Sequence, residues 1–515
     1  MRISTAQFYE STAANYQKNF ANVVKSSEEA SSLVRVNTAA DDPVGASRLL
    51  QLGQQASMLD QYKANTDTVK ATLGQTESVL TSINNVLQRA KELAIGANNA
   101  GYTDADRQAN ASELGQIEEQ LLSLMNSQDE NGKYIFAGSK GDTVPFSRNS
   151  DGTYSYNGDQ TTLNLPVGDN MSMATNSTGW EVFQQAVNTA RTQVTSSMND
   201  GLVTLSDGQV SSSVSYSNKF AGGEPYTVEF VSGTQLKITD GSGNDVTNEA
   251  TRGGVITTGT NQNISFRGVD LTLNVNDPNA VLTGRNFTLQ SKPDTFNVSR
   301  GPGNPGTVQA TGTTITDPAA YKASFPSGSA VLKFTSDTTF ELYAAPITAD
   351  SKPVSNGTIV GNKATASGVE FTLDNTATNV LVAGDQFNVS VNTHETQNIL
   401  DTVSQLKKAL NTPTNGDAVA TQKQLAAMTA GMGNLASGID QVSAGLSSVG
   451  GRGSALDTQS DTNQALVLAN AQTQSTIRDS DPAEVMTRLT LQQTMLQASQ
   501  LAFSKIAQLG LFNKV

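Results

Sequence analysis

The chain has 515 residues, a net charge of −14 and no cysteine. That is length enough for about two to four domains, and it excludes disulfides, thiolate metal sites and cysteine nucleophiles. Charged residues make up 16% and aromatic residues 6%, and lysine and arginine are scattered without interleaved aromatics, so neither nucleic acid nor an anionic membrane surface is an expected partner.

The opening Met1-Arg2-Ile3-Ser4-Thr5-Ala6-Gln7 lacks the apolar stretch of a secretory signal. No run reaches the ~18 apolar residues of a membrane span. The reading is a soluble protein, with cytoplasm and signal-less export both open. The first predicted helix runs from about Ser4 to Leu33, with Phe8, Tyr16, Phe20, Val23 and Val24 as its apolar anchors. So polar a helix is marginal by itself, and loose order in the free monomer is expected. Asp42 before Pro43 reads as a helix cap followed by a first-turn proline. From there to about Asn98 an apolar seam recurs at heptad spacing: Leu59, Tyr62, Thr66, Val69, Leu73, Thr76, Leu80, Ile83, Leu87 and Ala90. Some 55 helical residues would extend roughly 80 Å, which is a strut. A further helix opens at Thr103 or Asp104 and carries Leu114, Ile117, Leu121, Leu124 and Met125.

At Asn131-Gly132 the period changes, and a turn followed by a short strand at Tyr134–Gly138 is the simplest reading. To about Thr393 the chain is rich in Thr, Val, Gly, Asn and Asp, with turn pairs such as Asp151-Gly152 and Asn157-Gly158; an isolated helix is predicted at about Glu181–Met198. Gly268-Val269-Asp270-Leu271-Thr272-Leu273 recurs as Gly368-Val369-Glu370-Phe371-Thr372-Leu373, and Gly284-Arg285-Asn286-Phe287 as Gly384-Asp385-Gln386-Phe387. Such repeats imply two similar β modules, small sandwiches or barrels. Helix returns near Glu395, turns at Thr412–Gly416, and continues in a second seam of Leu425, Met428, Met432, Leu435, Ile439, Val442, Leu446 and Val449. Gly450-Gly451-Arg452-Gly453 interrupts that seam as a bend or weak point, at ~1 kcal/mol per helical glycine. Asp481, Pro482 and Glu484 read as cap, first-turn proline and capping-box acid. Val485, Leu489, Leu496, Phe503 and Ile506 mark a last seam, ending at Leu509-Gly510-Leu511-Phe512.

Seams of period 3.5 bury their apolar side against partner helices. Two of them, one near each end, predict an antiparallel helical rod built from both termini, with the β region inserted at its tip. The fold class is therefore α+β multidomain. That layout suits an assembly part, and no catalytic, cofactor or metal residues are assigned. Asp41 and Asp42 read as a helix cap favoured by the helix dipole. His394 is the only histidine and lacks the partners for a triad or a metal, and Gly450–Gly453 lacks the ending of a phosphate loop. The Thr/Asn-rich modules read as outward decoration, ahead of a glycan- or host-binding role.

Certain phrases carry a resemblance. Arg35 to Arg48, Ile477-Arg478-Asp479-Ser480-Asp481 and Leu491-Gln492-Gln493 resemble the helix motifs of the flagellin superfamily. The opening Met1–Thr5, the Asp41-Asp42-Pro43-Val44 wording, Tyr134-Ile135-Phe136-Ala137-Gly138 and the Leu-Gly-Leu-Phe ending resemble its hook-associated, junction-forming branch. The resemblance implies a non-enzymatic structural part of the bacterial flagellum at the hook–filament junction, extracellular and exported by type III secretion without a cleaved signal. Implied partners are the other hook-associated junction protein, flagellin, further copies in a ring, and an export chaperone. The resemblance at the two ends and the internal repeat in the middle together divide the chain: 1–40 with 479–515 as inner-tube helices, 41–140 with 395–478 as a helical rod, 141–209 as a β-rich connector with one helix, and, from the repeat alone, β modules at 210–292 and 310–393. The assembly or chaperone interface falls on Phe8, Leu489, Leu496, Phe503, Ile506, Leu509, Leu511 and Phe512. A minor flagellin and a secreted β-repeat adhesin are the rival readings.

Overall fold

The computed structural model describes residues 2–98, 101–149, 152–301, 304–325, 329–345, 347 and 351–512. Helices α1 (Arg2–Ser32), α2 (Pro43–Ala97) and α3 (Asp104–Met125) open the chain. Short strands follow: β1 (Phe146–Arg148), β2 (Tyr154–Tyr156), β3 (Asn164–Gly168), β4 (Met171–Ala174) and β5 (Ala186–Val187). The first β module comprises β6 (Thr192–Ser196), β7 (Val203–Leu205), β8 (Gln209–Val210), the one-turn helix α4 (Ser213–Ser215), β9 (Tyr226–Ser232), β10 (Gln235–Thr239), β11 (Gln262–Phe266), β12 (Val269–Val275) and β13 (Asn286–Ser291). The second comprises β14 (Thr295–Arg300), β15 (Ala310–Ile315), α5 (Pro318–Ser324), β16 (Ser329–Phe334), β17 (Thr339–Ala344), β18 (Ser355–Thr358), β19 (Lys363–Ala366), β20 (Val369–Leu373) and β21 (Gln386–Asn392). β22 (Thr396–Gln397), α6 (Ile399–Asn411), α7 (Ala418–Arg478) and α8 (Pro482–Phe512) complete it. No helix among the described residues is long and apolar enough to cross a membrane. The chain divides into two compact units, one of Met1–Lys70, Leu165–Met173 and Ser454–Val515, the other of Ala71–Asn164 and Ala174–Gly453.

In the first unit the two chain ends lie antiparallel. Asn470 Nδ2 donates to Leu52 O (3.1 Å) and Lys70 Nζ meets Asp457 (2.6 Å), so α2 runs against the end of α7. At the start of α2, Gly45 N–H donates to Asp42 Oδ1 (2.9 Å), the cap its sequence predicts. Gly45 is itself required there, because a Cβ would stand 2.5 Å from the Asp42 carboxylate. Asp41 holds the preceding turn through Thr38 N (2.9 Å) and pairs with Lys25 (2.7 Å).

In the second unit the α2 seam is completed: Leu73, Leu80, Ile83, Leu87 and Ala90 are buried, and Thr76 is buried with its hydroxyl on Thr72 O (2.8 Å). α3 starts at Thr103 with a capping box closed by Asp106, and packs antiparallel on α6 through Leu114, Ile117 and Leu121 against Leu400, Val403 and Leu406. Glu118 lies fully buried between them; it takes hydrogen bonds from Tyr154 Oη (2.8 Å), Arg148 (3.1 Å) and Lys407.

The β modules share one plan. The first has sheets β10-β9-β13-β6 and β11-β12-β7, with β8 also on β12; the second has β18-β17-β16-β21-β14 and β15-β20-β19. All the pairings are antiparallel, and each module has its own core, around Phe220, Tyr226 and Phe266 in one and Tyr321, Phe325 and Phe334 in the other. Each sandwich draws in strands that precede the sequence repeat: β6 and β7 before residue 210, β14 before residue 310. Arg267-Gly268 and Ser367-Gly368 both turn with positive φ, the two-residue hairpin turn that fits strand twist. Both glycine carbonyls then take two N–H groups from the entry to the short helix, Ser211 and Ser212 in one module, Thr316 and Asp317 in the other. β5 with β22 pairs the chain where it enters and leaves the modules.

Three expectations fail. Residues 181–198 are not a helix: after one π-type turn at Trp180–Gln184 the segment pairs as β5 and β6, because Val194 and its β-branched neighbours find Leu289 across the sheet. Tyr134–Gly138 forms one bridge, to Gln128, and then turns; Ser139 N–H is instead taken by the Asp159 carboxylate (2.8 Å). Gly450–Gly453, read as a bend or weak point, does not interrupt α7, which continues as helix with Val449 and Leu456 buried on either side. Two smaller shifts accompany these. α6 begins at Ile399, capped by Asn398 (2.8 Å to Leu400 N), and Asp151 of the Asp151-Gly152 pair lies outside the described residues.

Candidate assembly interface

α1 and α8 pair antiparallel within the first unit. Between them the linkers cross: Arg35 N–H donates to Arg478 O (2.6 Å) and Ser480 N–H to Leu33 O (2.9 Å). Ser480 Oγ donates to Glu29 Oε1 (2.6 Å), Arg488 pairs with the same carboxylate, and Asn19 Nδ2 reaches Ser499 Oγ (2.6 Å). Farther along, the Tyr16 and Phe503 rings stack at 6.2 Å. Burial raises the Glu29 carboxyl, but the Ser480 hydroxyl and the Arg488 guanidinium outweigh it and hold the group below the usual glutamate range.

The seam expected on α8 is the side turned to α1. Val485 is buried, and Leu489, Gln492, Leu496, Ser499 and Phe503 are half-buried at alternating three- and four-residue steps. The facing side of α1 follows the same rhythm through Tyr16, Asn19, Val23, Ser26 and Ala30. Phe503 therefore already has a partner within the chain in Tyr16, and Leu489 and Leu496 lie half-buried on the same side. The seam is short of apolar contact, however: its α1 side carries Asn19, Ser26 and Glu29, and Gln492 Oε1 is buried without a hydrogen-bond partner among the described residues, which is costly. Phe8, Ile506, Leu509, Leu511 and Phe512 lie on helical backbone, with side chains outside the described residues.

Further apolar side chains lie off the seam, and among them Phe20 and Val24, expected to anchor α1, are exposed. On α8, Met486, Leu491 (57% exposed), Met495 and Leu501 (61%) stand off the seam; on α1, Phe20 (52%) and Val24 do the same. Val44, Leu50 and Met58 on α2 and Leu466, Val467 and Leu468 on α7 are also exposed in this unit. So many large apolar side chains left bare make this a candidate surface for association. On α8 the signal was present in the sequence as residues off the heptad positions, which a search for one seam passes over.

The comparisons with known proteins agree with the helical ends. Residues 3–141 match the bacterial flagellin N-terminal helical region and residues 432–512 the bacterial flagellin C-terminal helical region. The chain is similar to flagellar hook-associated protein 3 of Salmonella typhimurium, 33% identical over 190 residues, and to that of Escherichia coli, 32% identical over 190 residues; each match covers 37% of this chain and 59% of the relative. A flagellin of Clostridium tyrobutyricum is 28% identical over 165 residues, 32% of this chain and 42% of the relative. In fold, the chain is similar to the crystal structure of flagellar hook-associated protein 3 from Legionella pneumophila, with a TM-score of 0.50 and 19% identity over 83% of this chain and 98% of that one.

Proposed function

We propose, from two ends that match the flagellin helical regions, that this chain is a structural part of the bacterial flagellum, the hook–filament junction protein that adapts the hook to the flagellin filament. The observation that carries this is the match to hook-associated protein 3 at 33% identity over 190 residues, longer than the match to a flagellar filament core protein (31% over 119) and higher in identity than that to a flagellin (28% over 165). The relatives are structural flagellar components, and no catalytic role is assigned. The uncovered faces of α1 and α8 give the physical route. Each terminal helix has one seam for its partner in the chain and one apolar face for a neighbouring copy, as a ring of subunits needs. The other hook-associated junction protein then lies on the hook side and flagellin on the filament side. An export chaperone covers the same faces beforehand, since amphipathic helices dock in apolar grooves. Phe8, Ile506, Leu509, Leu511 and Phe512 belong to this interface, while Leu489, Leu496 and Phe503 close the seam with α1 on which it is built. The protein is extracellular at the junction and leaves the cell through type III export. The β modules face outward.

Electron microscopy of a deletion strain tests the reading. Hooks should be intact, filaments absent and flagellin shed into the medium. Normal filaments on that strain exclude the junction role and leave the minor-flagellin alternative, which shares the terminal helices.

A further inference from the structure

One face of the first β module is not used by its own core. In β7, β11 and β12, Leu205, Ile264, Leu271 and Leu273 point into the sandwich, and at a period of two their neighbours point out. The outward pairs across the sheet are Asn263–Thr272, Ser265–Asp270 and Thr204–Asn274, so that face is polar. An antiparallel sheet commonly turns such a face to water; here α7 lies over it. Two sets of hydrogen bonds fix the spacing. At one end the Thr204 hydroxyl donates to Gln422 of α7 (2.7 Å), which donates in turn to Asn276 Oδ1 (2.5 Å). At the other, Asn434 takes the N–H (2.6 Å) and the hydroxyl (2.7 Å) of Thr189. From Gln422 to Asn434 the helix rises about 18 Å, and over that length it lines the gap with the small side chains of Ala426, Ala427 and Ala430. A cleft of about 1130 Å³ remains between helix and module, all of it within the second compact unit. Its charges cancel, Asp207 and Asp270 against Lys292 and Lys423, and the rest of its polar lining is hydroxyl and carboxamide. Groups of that kind give up their water without loss only to a ligand that returns the hydrogen bonds. Thr192, on the cleft wall, is fully buried, and its hydroxyl has no hydrogen-bond partner among the described residues. An extended peptide would need a free strand edge, but β12 is paired on both sides and the Val194 N–H of β6 is taken by the Asp207 carboxylate (2.9 Å). What the cleft offers is side chains.

We propose that the cleft between α7 and the first β module binds a neutral oligosaccharide of a few units. Its volume stands just above the ~300–1,000 Å³ of small-ligand pockets, and a chain of hydroxyls matches a lining of amides and hydroxyls without net charge. The site belongs to the single chain and does not depend on the junction reading.

Saturation-transfer NMR on the full-length protein with chitotriose, maltotriose and cellotriose tests the site. At least one should receive transfer and bind with a Kd at or below about 1 mM, with little dependence on salt. Ala427→Trp, at an exposed position of α7, fills the cleft and should abolish transfer at unchanged melting temperature. Thr192→Val removes the unpartnered hydroxyl; it should weaken binding severalfold while melting is unchanged or raised. No transfer to any of the three trisaccharides overturns the proposal, as does transfer that survives Ala427→Trp or an affinity unchanged in Thr192→Val. Transfer to pentaglycine with none to the sugars assigns the cleft to a polypeptide and overturns it too.

Discussion

Glu29 and Glu118 are both glutamates on helices that pack antiparallel to another, yet they work differently. Glu29 lies at the rim of the α1–α8 pair, its carboxyl held low by Ser480 and Arg488 against the opposing effect of burial. Asp41 is held low beside it, chiefly by the Lys25 ammonium and then by Thr38. A depressed folded-state pKa contributes stability that is present above the unfolded value, 4.5 for Glu29 and 3.8 for Asp41, and lost as pH falls through the folded one. The terminal pair should therefore loosen on acidification below about pH 4.5, seen as smaller amide protection factors, relative to intrinsic exchange at each pH, in α1 and α8, and Glu29→Gln should flatten that dependence. Unchanged pH sensitivity in the variant would show that other carboxylates govern it. Glu118, at 0% exposure, ties α3, α6 and the β1–β2 hairpin together. Glu118→Ala leaves Lys407 and the Tyr154 hydroxyl without their acceptor, and should cost about 3 kcal/mol in urea unfolding. A loss under ~1 kcal/mol would place the group among dispensable surface pairs.

At the scale of elements, the paired modules provide an internal control. A Cβ on Gly368 would stand 2.2 Å from Asp317 O, and on Gly268 2.7 Å from Ser212 O, each at a positive φ. Gly368→Ala and Gly268→Ala should each cost about 2 kcal/mol or more, and limited proteolysis should show only the altered module opening. Damage spreading to the other module would mean the two do not fold on separate cores. On α8 the two faces predict different behaviour. Phe503→Asp puts a charge beside Tyr16 and should loosen the α1–α8 pair in the monomer. Leu491→Asp, on the bare face, should leave monomer melting within about 0.5 kcal/mol while junction assembly fails. Equal monomer melting for both variants would mean that the stacking of Tyr16 and Phe503 contributes nothing.

For the whole molecule, the β5–β22 pair sets where the modules can be removed. A cut from Gly201 to Asn392 would strand β6 without its partner β13 and expose Val194. Removing residues 191–393 keeps the neck, Ala186–Val187 against Thr396–Gln397, and should leave a folded, exported protein that still supports filaments, because the regions matched to flagellin lie outside the cut. Export without filaments would show that the modules are part of the junction itself.

What the sequence determined by itself was whatever repeats locally. The seam Leu59 to Ala90, the Asp42 and Thr103 caps and the duplicated Gly-Val-acid-aromatic or leucine hairpins could be read residue by residue, since helix and hairpin periods are fixed by backbone geometry. The tertiary structure decided what depends on distant partners. Thr192–Ser196 becomes a strand because β13 is there to receive it, and Gly450–Gly453 stays helical within a helix continued and buried on both sides. The division of α8 into a face taken by α1 and a face left bare is likewise a matter of which helix lies opposite, and a heptad pattern names a seam without naming its partner.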